Sequence, residues 1–162
     1  MNVRRSAPLL LLVALCLVTG ADAMIRTLPL SELVQRADFV FVVEVIARIQ
    51  LPAPTPKDPP MIDTAVNVVR PLKGAWKGPE PIVFRTLGTI DGSMYIEDQP
   101  GFPAKGGRAV VFFRMGATGA PLCINGIQGV WVIDPATGEL QGMGTGKTLA
   151  ELETEIAAQQ GR

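Results

Sequence analysis

The period of the hydrophobic positions changes several times along the chain, and each change predicts an element. Leu30, Leu33, Val34 and Ala37 fall at i, i+3, i+4 and i+7, the stripe of a short amphipathic helix, with Pro29 at its start and Asp38 at its end. Residues 39–49 (FVFVVEVIARI) are rich in β-branched and aromatic types and predict a long, largely buried strand. Glu44 and Arg48, an even number of residues apart, are expected on one face of that strand, the wetter one. Residues 51–60 (LPAPTPKDPP) hold five prolines and cannot enter a ladder interior, so they predict an exposed, stiff hairpin loop. Residues 61–72 form a second strand, with Ile62, Thr64, Val66 and Val68 on one face and Asp63, Ala65 and Asn67 on the other. A turn at 73–78 carries Trp76, and further strands follow at 81–87, 108–115, 122–124 and 130–134. Thr148 and Glu151 make a capping-box pattern before Leu149, Leu152 and Ile156, which predicts a final amphipathic helix over 149–159. The expected fold is mainly β: a short N-terminal helix, five to six antiparallel strands, and a C-terminal helix, in one domain.

The first residues set the expected compartment. Arg4 and Arg5 precede an apolar run at 7–18, and Ala21 and Ala23 carry the spacing a signal peptidase reads. Twelve apolar residues are too few for the roughly 20 of a spanning helix, so residues 1–23 read as a cleaved secretory signal peptide. The mature chain, 24–162, is then expected to be secreted or periplasmic, with no stable membrane span. Cleavage removes Cys16 and leaves Cys123 without a disulfide partner; a small buried hydrophobe is its expected role.

Composition narrows the chemistry. With no histidine, the Ser-His-Asp and Cys-His systems and His-ligated zinc are excluded. Fifteen basic and fifteen acidic residues cancel, which gives no footprint for nucleic acid. Seventeen glycines and fourteen prolines fit short strands joined by turns better than a helical bundle. The string Gly142-Met143-Gly144-Thr145-Gly146-Lys147-Thr148 mimics a phosphate loop, but Gln141 stands where that motif needs its first glycine. No serine occupies a nucleophile elbow. Residues 88–107 form the longest stretch without strand character, and loops of that length are usually functional or disordered. Their carboxylates Asp91, Glu97 and Asp98 match no calcium-loop spacing, so no metal, cofactor or catalytic residue is assigned. Tyr95 and Phe102 either pin that loop or face a partner; Trp131 lies within a strand as a core residue, and Trp76 sits in an exposed-looking turn. The candidate partner-contact residues are Trp76, Tyr95 and Phe102.

The segment order carries a resemblance. A helix through Leu33, Ala37 and Asp38 leads into a valine-rich strand. A second strand ends in Val69-Arg70-Pro71-Leu72-Lys73-Gly74, and a third ends near Gly88. Pro100-Gly101-Phe102 and Gly106-Gly107 precede Val110-Val111-Phe112-Phe113, and Gly126-Ile127-Gln128-Gly129-Val130 opens the last strand. This order resembles bacterial secreted proteins of the netrin-like, tissue-inhibitor-of-metalloproteinase-like OB-fold family. The resemblance implies a small closed five-stranded Greek-key barrel flanked by the terminal helices, with binding on an open sheet face and in connecting loops. Animal inhibitors of this type chelate a protease's zinc through an N-terminal cysteine; a chain beginning at Met24 has none nearby, so that residue does not carry over. The expected function is a non-enzymatic binding module acting through protein–protein contacts of its loops. The alternatives are a regulator or inhibitor of a secreted metalloprotease and, further off, a metal-dependent enzyme built on carboxylates.

Overall fold

A computed structural model describes residues 26–161, so the expected signal peptide lies outside the described residues. The elements are α1 (Leu30–Arg36), β1 (Phe39–Leu51), β2 (Met61–Lys73), β3 (Ile82–Leu87), β4 (Arg108–Met115), β5 (Pro121–Cys123), β6 (Val130–Ile133) and α2 (Leu149–Gln160). Single 3₁₀ turns at Gly126–Gly129 and Gly142–Gly144 flank β6. One mainly antiparallel sheet of six strands runs in the order β3-β2-β1-β4-β5, and β6 pairs with the first half of β4, on the edge that β5 takes further along.

Two apolar clusters sandwich the centre of this sheet, which explains the unbroken hydrophobic runs of β1 and β4. Outside, α1 and α2 lay Leu33, Val34, Leu152 and Ile156 over Val40, Val42, Val110 and Phe112. Inside the curl, Phe41, Val43, Val45, Val66, Phe84, Val111 and Phe113 meet. Polar ties lock the outer layer. Lys73 Nζ donates to the carbonyls of Val34 and Ala37 at the end of α1 (2.7 and 2.6 Å), and Arg70 pairs with Glu153 of α2. Buried Gln128 exchanges two hydrogen bonds with the backbone of Leu28. The capping box at Thr148 and Glu151 is present in full.

Two expectations are corrected. The sheet is not closed into a barrel. β3 and β5 each run antiparallel to a neighbour of β1, so they run parallel to each other, and no ladder joins them. The reason lies in the edges they present. Leu87 N–H turns away from β2 to Gln99 Oε1 (2.9 Å) and is already used. On β5, Ile124 N–H points to Phe112 of β4, so the alternate residues Pro121 and Cys123 face the gap, and Pro121 has no N–H to offer. The second correction concerns Glu44 and Arg48, which lie on opposite faces. Val45 pairs with Val66 and Ala47 with Ala65, leaving Ile46 as an unpaired bulge residue that reverses the facing of everything after it. Glu44 therefore reaches Arg108 on the outside (3.1 Å), whereas Arg48 stands opposite buried Thr64 on the inside.

Candidate functional site

The bulge at Ile46 also shapes the outer face of the sheet. Beyond it, Ala47, Ile49 and Leu51 turn outward, past the end of the helical layer. The β1–β2 and β2–β3 registers then align three rows across the outer face: Ala47, Ala65 and Val83; Ile49, Asp63 and Arg85; Leu51, Met61 and Leu87. Seven of these nine positions are apolar. Ile49 is 56% exposed, Val83 41% and Leu87 37%. Among the described residues no helix covers them, so the apolar positions above and below the central row are open to solvent. At its centre Arg85 grips Asp63 with two hydrogen bonds, from Nε (2.7 Å) and Nη2 (2.8 Å). The guanidinium holds the Asp63 carboxyl below its ordinary range, and the carboxylate raises Arg85 in turn.

Beside this face, along the gap between β3 and β5, lies an apolar cleft of about 500 Å³. Trp76, Pro79, Ile82 and Val83 form one wall, and Met115, Pro121 and Leu122 the other. A second, smaller cavity between the two strands is lined by Phe84, Thr86 and Cys123 together with Asp98, Gln99 and Pro100 of the long loop. Because Leu87 N–H points away from β2, the backbone groups of Arg85 and Val83, two and four residues earlier, point the same way, toward the cleft. The site thus combines apolar walls with an unpaired strand edge.

The three residues singled out from the sequence are not gathered in one place. Trp76 is half-buried, not exposed. Its ring packs edge-on against Phe39 (5.4 Å between centroids), its Nε1 donates to Pro79 O (3.1 Å), and its free side forms a wall of the cleft. Phe102 is only 7% exposed and stacks at a tilt on Phe84 (5.2 Å), so it pins the 88–107 loop to the inner core. Tyr95, on the same loop, is 71% exposed. The loop is held at a second point, where Gly126 packs so tightly on Asp98 that a Cβ would lie 2.1 Å from the Asp98 carbonyl oxygen. Both residues have positive φ (53° and 71°), which suits glycine and strains most others. Asp91 is held at about 2, chiefly by the Ser93 N–H and then by the Thr89 hydroxyl, and it closes the turn at 89–93.

The remaining candidates have structural explanations. Trp131 is buried against Phe112, and Gly144 packs on its indole, where a Cβ would lie 2.6 Å from the ring. Lys147 pairs with Glu155 (2.5 Å) and Thr148 caps α2, so the glycine-rich string is a tight approach to a helix. Cys123 is partly covered, and burial pushes its thiol up to about 12, far from a reactive thiolate. Among the described residues no group of three or more His, Cys, Asp or Glu side chains is placed to hold a metal, and no helix is long and apolar enough to cross a membrane. Sequence reasoning missed the outer face and most of the cleft; the alternation Met61-Asp63-Ala65 was the visible part of the signal, and Ala47, Ile49 and Leu51 were hidden by the bulge. No family model matches the chain, and no curated protein sequence matches it.

Proposed function

We propose that the protein is a secreted or periplasmic, non-enzymatic binding module with an OB-like architecture. The strand order supports that architecture: β1 lies between β2 and β4, and the sheet rolls until its outer strands face each other, as in a five-stranded, partly open Greek-key barrel. The observation that carries the binding role is the cleft beside β3. Its occupant is an extended segment of a partner protein that aligns its backbone with the free groups of Val83 and Arg85 and seats an apolar side chain between Trp76 and Leu122. Hydrogen bonds to a strand edge supply affinity, and an apolar pocket beside the edge supplies selectivity.

Selection from a displayed peptide library tests this reading. The protein should enrich peptides with an apolar residue in an extended context. Leu122→Arg, at a 48%-exposed cleft position, should weaken their binding by about tenfold or more, whereas Tyr95→Ala should not. Equal binding by Leu122→Arg, or no enrichment at all, would remove the cleft as the contact site.

A further inference from the structure

The outer face meets the cleft along β3, where Asp63, Val83 and Arg85 belong to both, and the face carries its own pattern of charge. We propose that the face formed by β1, β2 and β3 binds a second copy of this chain, as a two-fold dimer whose axis runs parallel to the strands between β2 and β3.

The argument is one of complementarity under symmetry. Asp63 and Arg85 sit side by side in the middle row, with apolar residues above and below. Two two-fold arrangements bring this face against itself. An axis across the strands reverses the order of the rows and sets each Asp63 over the other Asp63, and each Arg85 over the other Arg85. Like charges placed opposite one another in an apolar setting are strongly unfavourable. An axis along the strands, between β2 and β3, keeps every row in place and exchanges the columns. Asp63 then faces Arg85 of the second copy, Met61 faces Leu87, and Ala65 faces Val83. Four alternating charges close into a ring in which each carboxylate lies between two guanidinium groups, and the apolar rows on either side exclude water from it. The bidentate pair within each copy fixes the side chains before association, so little side-chain freedom is lost on docking. The charge pattern therefore both favours self-association and selects one axis. Val83 and Arg85 serve both surfaces, and this axis carries Ile49 of the second copy past β3 toward the cleft, so a second copy and a captured peptide compete for the β3 edge.

Mass measurement by sedimentation or light scattering across a dilution series tests the proposal. The purified protein should show twice the single-chain mass, falling on dilution. Asp63→Arg and Arg85→Asp, each measured alone, should give the single-chain mass, because each creates two like charges on the face. An equimolar mixture of the two should recover the doubled mass, since each variant then meets its complement. Ile49→Lys, a change at an exposed position that leaves the ion pair intact, should also give the single-chain mass. A wild-type protein that stays at the single-chain mass at millimolar concentration would overturn the proposal. So would doubled mass in any of the three variants alone, or no recovery in the mixture.

Discussion

Single side chains decide what the long 88–107 loop is. Phe102 and Tyr95 look alike in the sequence, two aromatics in a polar, glycine-rich stretch, and no local signal separates a ring that faces inward from one that faces water. The separation comes from Phe84, presented from β3 at 5.2 Å, and from the Asp98–Gly126 contact that fixes where the loop lies. Phe102→Ala should cost about 3–5 kcal/mol in chemical denaturation, the usual range for removing a buried phenylalanine. Tyr95→Ala should stay within about 0.5 kcal/mol, as exposed substitutions do. Similar losses for the two would mean that Tyr95 is packed in solution. Trp76 was visible in the sequence as a turn residue, but its role as a cleft wall depends on Phe39 and Phe113, which only the fold brings near it.

At the level of elements, the local signals were the dependable ones. Helix α2 and its cap follow from Thr148 and Glu151 alone, and α1, β2, β3 and β4 fall close to where periodicity and proline placed them. Thr148→Ala should lower stability by about 1 kcal/mol, the typical worth of an N-cap, and the loss should appear first as faster amide exchange in the first turn of α2. Unchanged exchange there would mean that the packing of Leu152 and Ile156, not the cap, sets the start of the helix. What was illegible was facing and pairing. A bulge has no residue signature of its own, so Ile46 could not be told from its neighbours, and the facing assigned to Arg48 failed with it. Inside the curl, Arg48 Nε, turned in by the bulge, and Thr64 Oγ1 opposite it are buried without a hydrogen-bond partner among the described residues. Whether β3 and β5 would pair was equally hidden, because it depends on which way the backbone of Leu87, Pro121 and Cys123 points.

For the molecule as a whole, several surface carboxylates act together. Asp91 is held at about 2 by the Ser93 and Thr89 donors, Asp63 is lowered by Arg85, Asp134 by the N–H groups of Thr137 and Ala136, and Glu151 by Thr148. Each has a folded-state pKa below its unfolded value, so its contribution is complete above the ordinary carboxylate range and disappears as pH falls through the folded value. Thermal stability should therefore decline as pH drops from about 5 toward about 2. A melting temperature that stays flat over that interval would contradict the paired geometry. With no histidine in the chain, no imidazole contributes to this profile.

Ile46 has a bearing on how such a surface arises. Were Ile46 instead taken into the ladder opposite Ala65, strict alternation would run on through it, sending Ile49 into the interior and Arg48 out to water. The outer face would then lose its most exposed apolar member and gain a charge, with no residue of the chain changed. One residue held out of the ladder thus separates a sheet that invites company from one that repels it.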